Sequence, residues 1–178
     1  MPQYVEHPTR TGRWRDGGFE VHPEAATATE TVWISLSAGP DGEPAWEGLL
    51  AVLPQPDLAV IAAVPVFAYD LNLGDEVEVV GSAEGPLVAV RPVHDSGRFT
   101  FRVLFPGADD PDDRSWVALQ QDLEPFGCWF DVYTPQLVAV SADAAVAQEV
   151  ADFLADEQRA GRWVYETGRS VLPGTRGG

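Results

Sequence analysis

Arg98-Phe99-Thr100-Phe101-Arg102-Val103-Leu104-Phe105 is the stretch on which the fold class turns. Phe99, Phe101, Val103 and Phe105 fall on one side of an extended chain, and Thr100, Arg102 and Leu104 on the other. That period of two marks a half-buried strand, and Pro106 ends it. Downstream, Trp116, Leu119, Leu123 and Phe126 recur at helical spacing, which predicts a helix from about Ser115 to Phe126. Asp112, Asp113 or Ser115 supplies its N-cap and Gly127 its stop. Cys128 to Tyr133 and Gln136 to Ser141 flank Thr134-Pro135 as a hairpin. A second helix starts at Ser141 or Asp143, buries a stripe of Val146, Val150, Phe153 and Leu154, and stops at Gly161. Trp163, Val164 and Tyr165 form a last strand. The order strand, helix, strand, strand, helix, strand is the split βαβ pattern. Residues 98–167 are therefore expected to form a ferredoxin-like (βαββαβ) half, with two amphipathic helices on one face of an antiparallel sheet.

Working back toward the N-terminus, the strands become shorter and the turns closer together. Thr31 to Ser37 alternates, with Val32, Ile34 and Leu36 on one side. Gly39-Pro40-Asp41-Gly42 is a turn cluster. Ala45 to Leu53 and Leu58 to Val64 are apolar runs split by Pro54 and Pro56. Pro65 to Tyr69 reads as a buried corner, and Leu73-Gly74-Asp75 as a turn feeding Glu76 to Val80. Gly85-Pro86 reverses the chain into Leu87 to Val93. Residues 31–97 are expected to form a small curled antiparallel β subdomain or barrel. Residues 1–30 lack a sustained period and read as an extended arm, either a flexible tail or docked through Trp14 or Phe19. Residues 168–178 read as a tail. The expected class is thus α+β.

The charge balance excludes several functions. The 178 residues carry 11 basic and 28 acidic side chains, a net charge of −17. All 11 cations are arginines, so mechanisms that need a lysine amine have no candidate. A field of this sign repels phosphate and anionic lipid, which argues against nucleic acid and membrane as partners. Hydrophobic residues make up 45%, enough for a packed core. Cys128 is the one cysteine, so neither an intramolecular disulfide nor a cysteine-rich zinc site can form. The stretch from Leu58 to Tyr69 is too short to span a bilayer, and no secretory signal is recognisable near Met1. A soluble cytoplasmic protein without cofactor is expected.

Three motifs carry a resemblance. Pro65-Val66-Phe67-Ala68-Tyr69 is followed by Gly74-Asp75-Glu76-Val77-Glu78. Ser96-Gly97-Arg98-Phe99-Thr100-Phe101-Arg102-Val103 enters the central strand. Gly161-Arg162-Trp163-Val164-Tyr165-Glu166 closes the pattern. In order and spacing the stretch from Ile61 to Gly168 resembles the bacterial domain-of-unknown-function family 4265, common in actinobacteria and myxobacteria. The resemblance implies a bacterial, actinobacterial type of protein and brings no assigned activity with it.

Among candidate sites, Ser96-Gly97 with Thr100 and Arg102 leads. A glycine turn exposes backbone N–H groups, the hydroxyls add donors, and an arginine grips a carboxylate bidentately. With Tyr69, and with His94 as a possible base, these residues would hold an anionic small ligand in a pocket between the two subdomains. The plainer reading is a hairpin turn, with Arg102 pairing an acid on a neighbouring strand. His94-Asp95-Ser96 mimics a triad, but adjacent residues diverge and read as a polar turn. Cys128 follows a helix C-terminus, where a thiolate is disfavoured, and reads as a small buried hydrophobe. Asp109, Asp110, Asp112 and Asp113 lack calcium-loop spacing and read as a helix cap. His7, His22 and His94 are far apart in sequence and suggest no metal site. No residue stands out as catalytic. The expected function is a non-catalytic acidic protein-binding or regulatory module, for instance an immunity-type inhibitor of a basic protein. The alternative is a protein or enzyme binding an anionic small molecule.

Overall fold

The computed structural model describes residues 2–38, 42–83, 85–107 and 114–169. In chain order the elements are β1 (Gln3–Glu6), β2 (Gly12–Arg15), β3 (Gly18–Val21), α1 (Pro23–Thr27), β4 (Glu30–Leu36), β5 (Ala45–Gln55), β6 (Leu58–Ile61), β7 (Glu76–Gly81) and β8 (Leu87–His94). They continue with β9 (Arg98–Leu104), α2 (Ser115–Leu123), β10 (Trp129–Thr134), β11 (Leu137–Asp143), α3 (Ala147–Arg159) and β12 (Val164–Thr167). The turn at Gly39 to Gly42, the aspartates 109, 110, 112 and 113, and most of the 168–178 tail lie wholly or largely outside the described residues.

The first sheet closes on itself. Its order is β1-β5-β4-β8-β7-β6, and β5 also pairs with β6. The long strand β5 makes this possible: its first half lies between β1 and β4, and its second half turns to meet β6. Leu49 and Ala51 of β5 point inward, with Val32, Ala59, Ile61, Val77 and Val79 completing the barrel core. A curled β unit is what the short strands predicted. It is a closed five-stranded barrel with β1 added outside, and it is not purely antiparallel. β1 runs parallel to β5, and β4 parallel to β8.

The second sheet has the order β12-β9-β11-β10-β2-β3. Phe101 and Val103 of β9, with Phe105 just beyond it, join Leu119, Leu123, Val150, Leu154 and Trp163 in a core beneath α2 and α3. The expected order of elements from Arg98 onward is present, but the unit it was expected to make is not. The chain is mostly β, a closed barrel plus a six-stranded sheet, and not an α+β protein with a ferredoxin-like half. The sheet does not stop at β10, because the N-terminal segment supplies two further strands. Asp16 and Gly17, both with positive φ (51° and 77°), make the tight turn between β2 and β3. The arm of residues 1–30 is thus built into both sheets. Its composition hid this, because strands of four residues show too few alternations to register as a period.

The helix bounds also shift. α2 ends at Leu123 and tightens into a 3₁₀ turn at Glu124–Phe126, stopped by Gly127 at φ 65°. α3 begins at Ala147 because β11 runs on to Asp143, whose carboxylate accepts from the Ala145 N–H. Among the described residues no helix is long and apolar enough to cross a membrane.

Gly12 tests the docking of β2 and β3. A Cβ there would stand 2.4 Å from the Phe19 ring and 2.7 Å from the Glu20 carbonyl oxygen. Gly12→Val is expected to destabilise the protein by about 1–3 kcal/mol in urea denaturation, as overpacking does. An unchanged midpoint would mean that the N-terminal strands do not hold to the sheet.

Candidate functional site

Between β6 and β7 the chain runs without regular structure from Ala62 to Asp75, and this strap fills the space between barrel and sheet. Ala63, Ala68 and Leu71 plug the barrel core, while Val64, Val66 and Leu73 pack on Trp129 and Ala139 of the second sheet. A buried irregular segment cannot satisfy its backbone groups with a ladder, so side chains must do it.

Glu47 serves the middle of the strap. It lies on the inward face of β5, in register with Val5 of β1, and is fully buried. One carboxylate oxygen accepts from Val66 N–H (2.7 Å), the other from Ala68 N–H (2.6 Å), and Phe67 N–H reaches both (3.2 and 3.1 Å). Asp131 of β10 and Thr11 serve the start. The Thr11 hydroxyl donates to Asp131 Oδ2 at 2.6 Å, and Val64 N–H reaches both oxygens at 3.2 Å. His7, just after β1, lies between the two acids. Its Nε2 is 2.8 Å from Glu47 Oε1 and its Nδ1 is 3.1 Å from Asp131 Oδ1, with the imidazole 4% exposed. Burial disfavours charge on this ring, but Asp131 and Glu47 outweigh it, and its pKa is pushed up to about 9. Burial likewise opposes the charge of Glu47, yet His7 and the strap N–H groups hold its pKa below the ordinary value. The three groups are thus an imidazolium between two carboxylates, enclosed where the two sheets meet.

The sequence-predicted residues hold the other end of the strap. Arg102 is 4% exposed. Its guanidinium donates to Glu166 on β12 (3.0 Å) and to the Ala68 carbonyl, and lies 4.2 Å from the centre of the Tyr69 ring. The Tyr69 hydroxyl donates to the same Glu166 oxygen at 2.9 Å. Thr100 donates to Asn72 Oδ1 (2.9 Å), and Ser96 N–H donates to Asp75 (2.8 Å). Asp75 also takes the Asn72 N–H. His94 stands apart on the exposed end of β8, beside a depression it shares with Asn72 and Asp75. The structure thus brings Tyr69 and Arg102 into direct contact, ties Thr100 and Ser96 to the same strap, and leaves His94 on the rim. Arg102 pairs with an acid on the neighbouring strand, as the plainer reading expected.

His94-Asp95-Ser96 forms a turn in which Asp95 accepts from Gly97 N–H and Ser96 Oγ from Arg98 N–H. Cys128 is buried in the helix-side core, and burial pushes its thiol up to about 12 against the pull of Arg98 and Arg13. Among the described residues no group of three potential ligands could hold a metal ion. Glu47 and Asp131 escaped the sequence reading, which took His7 only as one of three scattered histidines. The signal was present in Ala45-Trp46-Glu47-Gly48-Leu49 and Trp129-Phe130-Asp131-Val132, where a lone acid interrupts an apolar run. Such an acid at a buried position requires a partner.

The pattern of a domain of unknown function, DUF4265, matches residues 47–165. The chain belongs to the DUF4265 family. The match opens on Glu47, spans the strap and Asp131, and closes at Tyr165 on β12. No curated protein matches this DUF4265 chain. A solved structure, "Novel crystal structure of a hypothetical protein from Neisseria gonorrhoeae", is similar in fold, with a TM-score of 0.64. The similarity covers 80% of this chain and 96% of that one, at 16% identity.

Two measurements test the His7 cluster. A histidine whose folded pKa is raised contributes stability that is complete below its unfolded pKa and lost as pH rises through the folded one. Relative to His7→Gln, the wild type is expected to lose about 3 kcal/mol of stability between roughly pH 6.5 and 9. Parallel pH profiles for the two proteins would show that His7 is not charged in the fold. Glu47→Gln replaces an acceptor with a donor amide facing the strap N–H groups. It is expected to cost about 3–5 kcal/mol in denaturant titration, as breaking a buried pair does.

Proposed function

We propose that the protein is a non-catalytic binding module that presents an acidic surface to a basic protein. The observation that carries the reading is how the cations are used. Among the described residues, Arg13, Arg15, Arg91, Arg98, Arg102, Arg159 and Arg162 are ion-paired with acids of the same chain. Acids outnumber the cations by 17, so these pairings engage arginines while carboxylates remain in excess. Such a field accelerates encounter with a cationic partner and opposes an anionic one. The buried groups His7, Glu47, Asp75, Asp131 and Arg102 are engaged in holding the strap. An immunity-type inhibitor of a basic enzyme is the form of this reading that uses the charge most fully.

A second reading draws on one observation. Arg102 Nε is buried without a hydrogen-bond partner, and Arg102 borders a groove of about 380 Å³ with Val66, Phe67, Leu104 and Val164. A small anionic ligand would enter there by displacing Glu166. A rise in melting temperature with small carboxylates, absent in Arg102→Gln, would favour this reading.

Capture at low ionic strength, followed by reconstitution with the purified partner, tests the main proposal. The partner is expected to be basic, and the affinity to fall at least about tenfold when salt rises from roughly 20 mM to 0.2 M. Recovery of only neutral or acidic proteins, or an affinity indifferent to salt, would overturn it.

A further inference from the structure

The barrel wall has a wedge-shaped gap. β4 pairs with β5 from Glu30 to Leu36, and β7 with β8 along nearly all of its length. Between β4 and β8, however, the ladder consists of Val32–Leu87 and Trp33–Val88. Beyond those pairs β4 continues through Leu36 and β8 through His94. A cleft of about 720 Å³ lies along Ile34 to Ser37 and is floored by Phe67 and Ala68. A second hollow, of about 240 Å³, runs between Ile34–Ser35 and Ala89–Pro92 and reaches Leu71 and Val77 of the barrel. Tyr69 and Asp70 border both hollows. Tyr69 is 47% exposed. Asp70 has a left-handed φ of 57°, fixed where its N–H donates to the Gly168 carbonyl (2.7 Å). A strand edge beside an apolar hollow is what strand-adding partners use: backbone bonds give affinity, and alternate side chains enter the hollow.

We infer that an extended segment of the basic partner adds along β4 at Ile34–Leu36, placing apolar side chains in the barrel mouth and leaving basic ones to the anionic surface of the molecule. This rests on the proposed function above and names the surface it would use. Charge selects the occupant. Arg91 on the β8 side is paired with Glu78 (2.7 Å), and the depression past the mouth holds both Asp95 and Arg169, so the selection rests on the net charge of −17 and not on a local acidic cluster. A second copy of the chain would bring −17 against −17, which disfavours it as the occupant. A cationic segment meets attraction from the whole surface.

The probe is a pool of ten-residue peptides alternating Arg or Lys with Val or Leu, and the same pool with alternate backbone nitrogens methylated. Methylation preserves charge and side chains but removes strand hydrogen bonds. Amide shifts centred on Ile34–Leu36 and Ala89–Arg91, binding at least tenfold weaker for the methylated pool, and a similar loss in Leu36→Lys are the expected results. Leu36→Lys is to be compared at matched melting temperature. Equal binding of both pools would overturn strand addition and leave the acidic reading standing. No preference for either cationic pool over a neutral one would overturn both. Concentration-dependent dimerisation that shifts the same amides without peptide would assign the cleft to a second copy and overturn the inference.

Discussion

The fold depends on keeping a carboxylate charged in its interior. Glu47 accepts the N–H groups of Val66, Phe67 and Ala68, which no sheet ladder can reach. An anion at that depth needs a counter-charge, and His7 supplies it from the segment after β1. His7 in turn faces Asp131, which belongs to the other sheet. Three residues far apart in the chain thus join the N-terminus, the barrel, the strap and the second sheet. Buried ion pairs contribute little net stability compared with a well-packed apolar replacement, but losing one partner is costly. Here the pair also substitutes for secondary structure, because it satisfies backbone groups that would otherwise be buried and unbonded.

The strap shows why such an arrangement is needed. It gives Ala68 and Leu71 to the barrel and Val64, Val66 and Leu73 to the sheet, so it is core material for two layers at once. A strand can present alternate residues to two faces, but only with its edges paired. The strap gives up the regular ladder; its N–H groups donate to Glu47, Asp131 and Thr11, and its Ala68 carbonyl accepts from Arg102. Gly74, at φ 85° and with Ser96 Cβ 3.2 Å from where its own would be, lets the chain leave the strap and enter β7.

Charge therefore does two different things in this molecule. Inside, one imidazolium shared by two carboxylates links the two sheets. Outside, the arginines are largely matched within the chain and acids remain in excess, so the surface acts through its field rather than through a particular pair. Screening distinguishes the two: added salt weakens the outer field and leaves the enclosed cluster almost untouched.

The strand at Arg98, both helices, the hairpin after Cys128 and the curled nature of residues 31–97 were all legible locally, because each depends on a period or a turn residue within one short window. The family motifs were legible for the same reason. So was the pairing of Arg102 with a neighbouring acid, since a cation on a strand lies beside the side chains of the next one. Sequence could not show that β2 and β3 extend the second sheet, that the barrel closes through β5, or that Glu47, His7 and Asp131 meet. The Glu47–His7 contact joins residues 40 positions apart and Phe130–Gly12 joins residues 118 apart, while the barrel closes because one long strand changes partners part-way along. Sequence can show an acid inside an apolar run and so require a partner for it. Which partner arrives is decided by the packing of two sheets around one strap, since only there do Glu47 and the strap N–H groups meet.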